Sequence, residues 1–166
     1  KFAQTWKQPV IRIFIIGLIL SVLLLLLYQG RYAGLGTNLI HASFYGEDIL
    51  SYDWILKFLL TIVTLAAGFQ GGEVTPLFSI GASLGAVIAP VLGVPVEIAA
   101  ALGYAGVFGS ATNTFLAPVL IGTEVFGFSY LPHFFVVCAF AYLFNLNKSI
   151  YSLQKIMDGH NRYQKP

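Results

Sequence analysis

Glu73 stands between Gln70-Gly71-Gly72 and Thr75-Pro76, with apolar sequence on both sides. A carboxylate at membrane depth costs roughly 2.5–3.5 kcal/mol on insertion scales, so a residue of this type in such a place marks function. The two glycines let the backbone approach a ligand closely. Pro76 suits a first helical turn, where its missing N–H has no intrahelical partner to lose. Free N–H groups at such a turn, together with the positive end of the helix dipole, bind anions. The Thr75 hydroxyl adds a further donor. Gly72, Glu73, Val74 and Thr75 therefore form a candidate anion site, with Glu73 as the candidate proton-coupling group. The plainer role for Glu73, a carboxylate favouring its own helix start, requires neither the glycine pair nor the apolar surroundings.

Other residue types that could do chemistry are weaker. Gly81-Ala82-Ser83-Leu84-Gly85 matches the G-x-S-x-G nucleophile elbow, but that pattern needs a strand before the serine. Here it lies in an apolar helical run, where Gly81 and Gly85 read as a close-packing pair. Without convincing histidine and acid partners, no enzyme is expected. Glu124 is a second acid in an apolar run and is assigned to helix–helix or interface contact, with proton relay as the alternative. Glu97 reads as a first-turn acid stabilised by the helix dipole. Tyr151, just past the last apolar run, is either an interfacial anchor or a hydroxyl turned inward to donate to an anion. Cys138 reads as a small buried hydrophobe. His41, His133 and His160 lack ligand spacing, so neither metal nor cofactor is expected. Asn147-Lys148-Ser149 fits a glycosylation sequon but lies beside a basic end.

These residues must be positioned by helices. Apolar segments span 11–28, 54–69, 77–92, 97–108, 115–127 and 131–146. Only the first approaches the roughly 20 residues that cross a bilayer upright; it is too long for a signal peptide. The others are short and broken by Gly or Pro, as in transporters with discontinuous helices. Gly93-Val94-Pro95, 109–114 and Tyr130-Leu131-Pro132 mark the breaks, and 36–53, with Glu47, Asp48 and Asp53, reads as an outer loop with a partial helix. Of 166 residues 57% are hydrophobic and 10% are charged, against about 25% charged in soluble domains. The surface must therefore face lipid or other protein. A net charge of +2 with basic residues mainly near the ends excludes a clustered nucleic-acid face. Lys1, Lys7, Arg12, Lys148, Lys155, Arg162 and Lys165 place both ends on the cytoplasmic side. The chain begins at Lys1 without methionine and is read as the later half of a longer protein.

Gly71 to Gly85 resembles the segment of CLC chloride channels and transporters of general form G-x-F-x-P followed by a Gly-Ala helix. Gly34-Leu35-Gly36 is similar to an upstream glycine turn of that family. Leu56-Lys57-Phe58 looks like the helix leading into the motif, and 109–127 resembles its paired helices with a small-residue break. The resemblance covers residues 1–166 and only the second half of a subunit. It implies an all-α polytopic membrane protein, the C-terminal half of an inverted-repeat subunit. Gly-Glu-Val-Thr-Pro, with Val74 where Phe is usual, is similar to the bacterial branch that exchanges fluoride for protons. The resemblance then implies that the Glu73 and Val74 amides and the Tyr151 hydroxyl face a central anion. Glu73 and Thr75 are branch-specific additions, and Phe115 stands where proline is expected. It further implies a homodimer in a bacterial inner membrane, with 115–127 and 131–146 at the interface. A gating glutamate is expected in an earlier half that this chain lacks. A chloride channel or exchanger, and a non-transporting assembly subunit, are the alternatives.

Overall fold

The computed structural model describes residues 9–69, 71–151 and 154. Lys1, Lys7, Gln70, Lys155, His160, Arg162, Lys165 and the Arg12 side chain lie outside the described residues, and with them most of the charge asymmetry used for orientation.

The described elements are all helical: α1 Pro9–Leu26, α2 Thr37–Tyr45, α3 Asp53–Ala67, α4 Val74–Leu92, α5 Val96–Thr112, α6 Leu116–Phe126 and α7 Leu131–Leu143. Short 3-10 turns at Tyr28–Gly30 and Phe128–Tyr130 link α1 to α2 and α6 to α7. The punctuation follows the backbone chemistry. Gly46, Gly68 and Gly93 close α2, α3 and α4 in the left-handed region, which glycine enters without a Cβ penalty. α5 runs through the small-residue stretch to Thr112, whose hydroxyl donates to the Phe108 carbonyl at 2.8 Å. It stops one residue later at left-handed Asn113.

Two expectations are corrected. The longest described helix is α4, with 19 residues, so it reaches bilayer length as well as α1, which has 18. α1 ends at Leu26 because Tyr28 and Gln29 both adopt positive φ. The 36–53 stretch holds α2, yet its last residue is no outer-loop acid. Asp53 is fully buried.

α4 packs on α5 through glycine. A Cβ at Gly81 would lie 2.7 Å from the Gly103 carbonyl carbon, and one at Gly85 would lie 2.8 Å from Ala100 Cα. The two helices thus touch backbone to backbone, and Phe78 stacks on Tyr104 beside the seam. Ser83 donates to the Ser79 carbonyl at 2.7 Å inside this contact, so the G-x-S-x-G match is a packing element. One apolar core joins α5, α6 and α7 through Ala101, Ala105, Val119, Phe134 and Cys138. A second joins α1, α2 and α3 through Leu20, Leu39 and Leu60. Outside these cores, large apolar side chains such as Phe14, Leu26, Val91, Leu143 and Phe144 stand exposed. A surface of this kind fits lipid or further protein.

Candidate functional site: the head of α4 and its supports

Glu73 is the residue before the first turn of α4, with φ −83 and ψ −23, and its side chain makes no capping hydrogen bond. Its carbonyl accepts from Leu77 N at 3.4 Å. Val74 and Thr75 open the helix, where N–H groups have no preceding turn to accept them. Pro76 follows and contributes no donor. Glu73, Val74 and Thr75 are half-buried, and Gly71 and Gly72 are exposed. The structure therefore brings Gly72, Glu73, Val74 and Thr75 together at one open helix end. The carboxylate is less buried than the apolar flanks suggested.

Tyr151 is held by a different set of contacts. Ile150 N donates to the Ala111 carbonyl at 2.9 Å, which ties the segment to the end of α5. Ser149 Oγ donates to the Thr112 carbonyl at 3.2 Å and accepts from Tyr151 N at 3.1 Å. Asn113 completes the clasp. Its side-chain oxygen accepts from Asn145 Nδ2 at 3.1 Å and its carbonyl accepts from Gln154 Nε2 at 3.4 Å. Asn113 has φ 52 and ψ 47, a left-handed conformation that asparagine tolerates better than most residues. The end of α5 and the Asn113 turn that follows it thus become the seat of the Tyr151 turn. This turn and the first turns of α4 share the walls of an open cavity of about 420 Å³, through Ser149 and Ile150 on one side and Leu77 and Ile80 on the other. Tyr151 is 47% exposed. Among the described residues no hydrogen bond joins its hydroxyl to the head of α4. The Glu124 side chain is exposed and makes no hydrogen bond among the described residues, so it ties no described helices together. Phe115 packs edge-on against Phe135, with ring centroids 5.1 Å apart.

Charged groups at the start of α3 make contacts that the sequence does not signal. Asp53 accepts from Arg31 Nη2 at 2.7 Å, from the Tyr32 hydroxyl at 2.6 Å and from Leu50 N at 2.9 Å. Burial and the hydrogen bond to Asp53 push the Tyr32 hydroxyl well above its ordinary range. One helical turn on, Lys57 is 2% exposed. Its ammonium donates to the Tyr32 carbonyl at 3.0 Å and to the Gly34 carbonyl at 2.7 Å. Gly36 has φ 80, and a Cβ there would lie 2.8 Å from Lys57 Cε. The 31–36 turn is therefore fitted around Lys57. Lysine alone within an apolar helix was the available signal, and its partners lie more than twenty residues earlier.

The voltage gated chloride channel family matches residues 1–146. A curated relative, a chloride/fluoride channel protein of Pseudomonas syringae pv. tomato, is 40% identical over 136 residues, covering 82% of this chain and 29% of the relative. A crystal structure of a CLC-type fluoride/proton antiporter matches with a TM-score of 0.88 and 59% identity, covering 92% of this chain and 38% of that one. The chain thus spans less than two fifths of the length of either.

Proposed function

This chain belongs to the voltage-gated chloride channel (CLC) family, and from that premise we propose that the protein containing it exports fluoride in exchange for inward-moving protons. Family membership makes the chain part of an integral membrane protein, and the described helices match the CLC antiporter fold. The observation that carries the fluoride reading is the 59% identity, over a match covering 92% of the chain, to the crystal structure of a CLC-type fluoride/proton antiporter. The Gly-Glu-Val-Thr-Pro sequence at the open head of α4 supports it.

The chemistry follows from the ion. Fluoride is small and strongly hydrated, so it leaves water only for short, strong hydrogen bonds. The Glu73, Val74 and Thr75 amides, the Thr75 hydroxyl and the Tyr151 hydroxyl are the donors proposed to replace its water. An ionised Glu73 beside fluoride repels it. Glu73 is therefore protonated, turned away, or alternating with the ion when fluoride is bound, and each of these links proton and anion movement. No catalytic group is invoked; the protein acts as a transporter and not as an enzyme. The rest of the polypeptide is needed to complete the path. The proposed setting is a multi-pass homodimer in a bacterial inner membrane with a cytoplasmic C-terminus.

The test uses full-length protein in liposomes, with fluoride efflux read by electrode and proton uptake by a pH dye. Fluoride-driven proton uptake is expected, and Glu73→Gln is expected to uncouple it. Unchanged coupling in Glu73→Gln removes Glu73 from the mechanism. The second reading, chloride conduction, is favoured by the family's description and by the curated relative's name. Chloride efflux without proton movement selects it.

A further inference from the structure

Lys57 is a buried ammonium with no described counter-charge. The described ion pairs are Arg31–Asp53 and His41–Glu47, and Lys57 is in neither. Its recorded hydrogen bonds go to two neutral carbonyls, of Tyr32 and Gly34. An ammonium carries three donors, so one has no partner among the described residues. Burying a charge among neutral groups is costly unless an opposite charge comes to it. Lys57 also lines a cavity of about 290 Å³, whose other walls include Tyr32, Gly34, Gly71, Gly72 and Glu73. The cavity therefore runs from the ammonium to the glycine strip before α4. Close by, Ser79 Oγ is buried with no hydrogen-bond partner. A Cβ built on Gly36 would meet both Ser79 and Lys57.

We propose that this cavity is a second anion subsite, in which Lys57 Nζ holds a small inorganic monoanion, fluoride during transport, beside the Gly71–Gly72 strip. It is separate from the donors of Val74, Thr75 and Tyr151 and lies next to them along the chain. The ammonium supplies a charge-assisted N–H donor. The exposed glycines carry no side chain to obstruct passage to the helix head. The subsite rests on the proposed fluoride reading, and it adds a place where the ion waits before or after the central position. Glu73 is the acidic side chain sharing the cavity, so an ionised Glu73 and a bound anion compete for Lys57.

The test separates the charge of Lys57 from its hydrogen bonds, using full-length protein and sodium fluoride titrated calorimetrically. Lys57→Gln retains two amide N–H donors for the Tyr32 and Gly34 carbonyls and loses the charge. It is expected to lower fluoride affinity at one site by at least about tenfold, while Lys57→Arg retains binding. A folded Lys57→Gln protein with unchanged fluoride binding makes Lys57 a structural staple and overturns the proposal. Tyr151→Phe serves as the second arm, because it weakens the central site and should leave the Lys57-dependent ion in place. If Lys57→Gln does not fold, the stoichiometry of the unsubstituted protein decides: two fluorides per protomer are expected, and a single fluoride overturns the subsite. Loss of one fluoride in Lys57→Gln with no effect of Tyr151→Phe leaves the subsite standing and removes Tyr151 from the central site.

Discussion

Adding one methyl group at Gly85 tests the α4–α5 contact most directly. A Cβ there would lie 2.6 Å from the Ala99 carbonyl carbon and 2.8 Å from Ala100 Cα, against ordinary contacts that begin at 3.4 Å. Both obstacles are backbone atoms, which cannot swing aside as a side chain can. The helices must separate by roughly 1 Å at this point, enough to forfeit a quarter to a half of each dispersion contact across the seam. Overpacking of this kind typically costs about 1–3 kcal/mol, offset by up to about 1 kcal/mol from replacing a helical glycine with alanine. Gly106 is the internal control. A Cβ there would lie 3.0 Å from Val137 Cγ1, a side-chain atom that has to give by only a few tenths of an ångström. Its helix-propensity gain is similar, so Gly106→Ala should be close to neutral. The assay is thermal loss of monodisperse full-length protein in detergent. Gly85→Ala should melt clearly below the unsubstituted protein and Gly106→Ala near it. If Gly85→Ala melts no lower than Gly106→Ala, the backbone contact does not limit the packing of α4.

Three further outcomes follow from the buried polar groups. Arg31→Ala leaves Asp53, which has no exposed surface, without its cation; it should cost about 3–5 kcal/mol, seen as a lower melting temperature, with Arg31→Lys intermediate. Asn113→Ala should lose about 1–2 kcal/mol from the left-handed backbone and a further ~1 kcal/mol from the Asn145 hydrogen bond, whereas Asn113→Gly should lose only the latter; equal melting of the two would remove the strain argument. The Tyr32 hydroxyl is held protonated above its ordinary value of 10.0, so the folded state keeps a proton that the unfolded chain releases. That contribution is complete below pH 10 and declines as pH rises above it. Melting temperature should therefore fall faster above pH 10 in the unsubstituted protein than in Tyr32→Phe.

Local chemistry made much of this fold legible. Thr75-Pro76 announced the first turn of α4, Gly93 its end and Leu131-Pro132 the start of α7, because each signal acts through φ or a missing N–H within a few residues. Gly81 and Gly85 read as a packing pair for the same reason. The head of α4 was legible as a site, since Gly72 to Thr75 are contiguous. The supports were not. Asp53 reads as a loop acid until Arg31 and Tyr32 fold over it from more than twenty residues away. Lys57 reads as an oddity of an apolar helix until the 31–36 turn closes around it. The clasp under Tyr151 joins Asn113 to Asn145 and Gln154, residues whose spacing carries no period. Each of these depends on chain reversal, which hydrophobic patterning does not encode.

The glycine seam between α4 and α5 limits how the molecule can work. Helices separated by side chains can slide, because side chains exchange rotamers as they pass. Here Gly81, Gly85 and Gly103 set main chain on main chain, and that surface has no rotamers to exchange. α4 and α5 therefore move as one rigid body, and the open amides at the head of α4 keep their aim whatever passes them. In the mechanism proposed above, any switching then falls to side chains outside this seam, the Glu73 carboxylate, which makes no capping hydrogen bond, and the Tyr151 ring on its clasped turn.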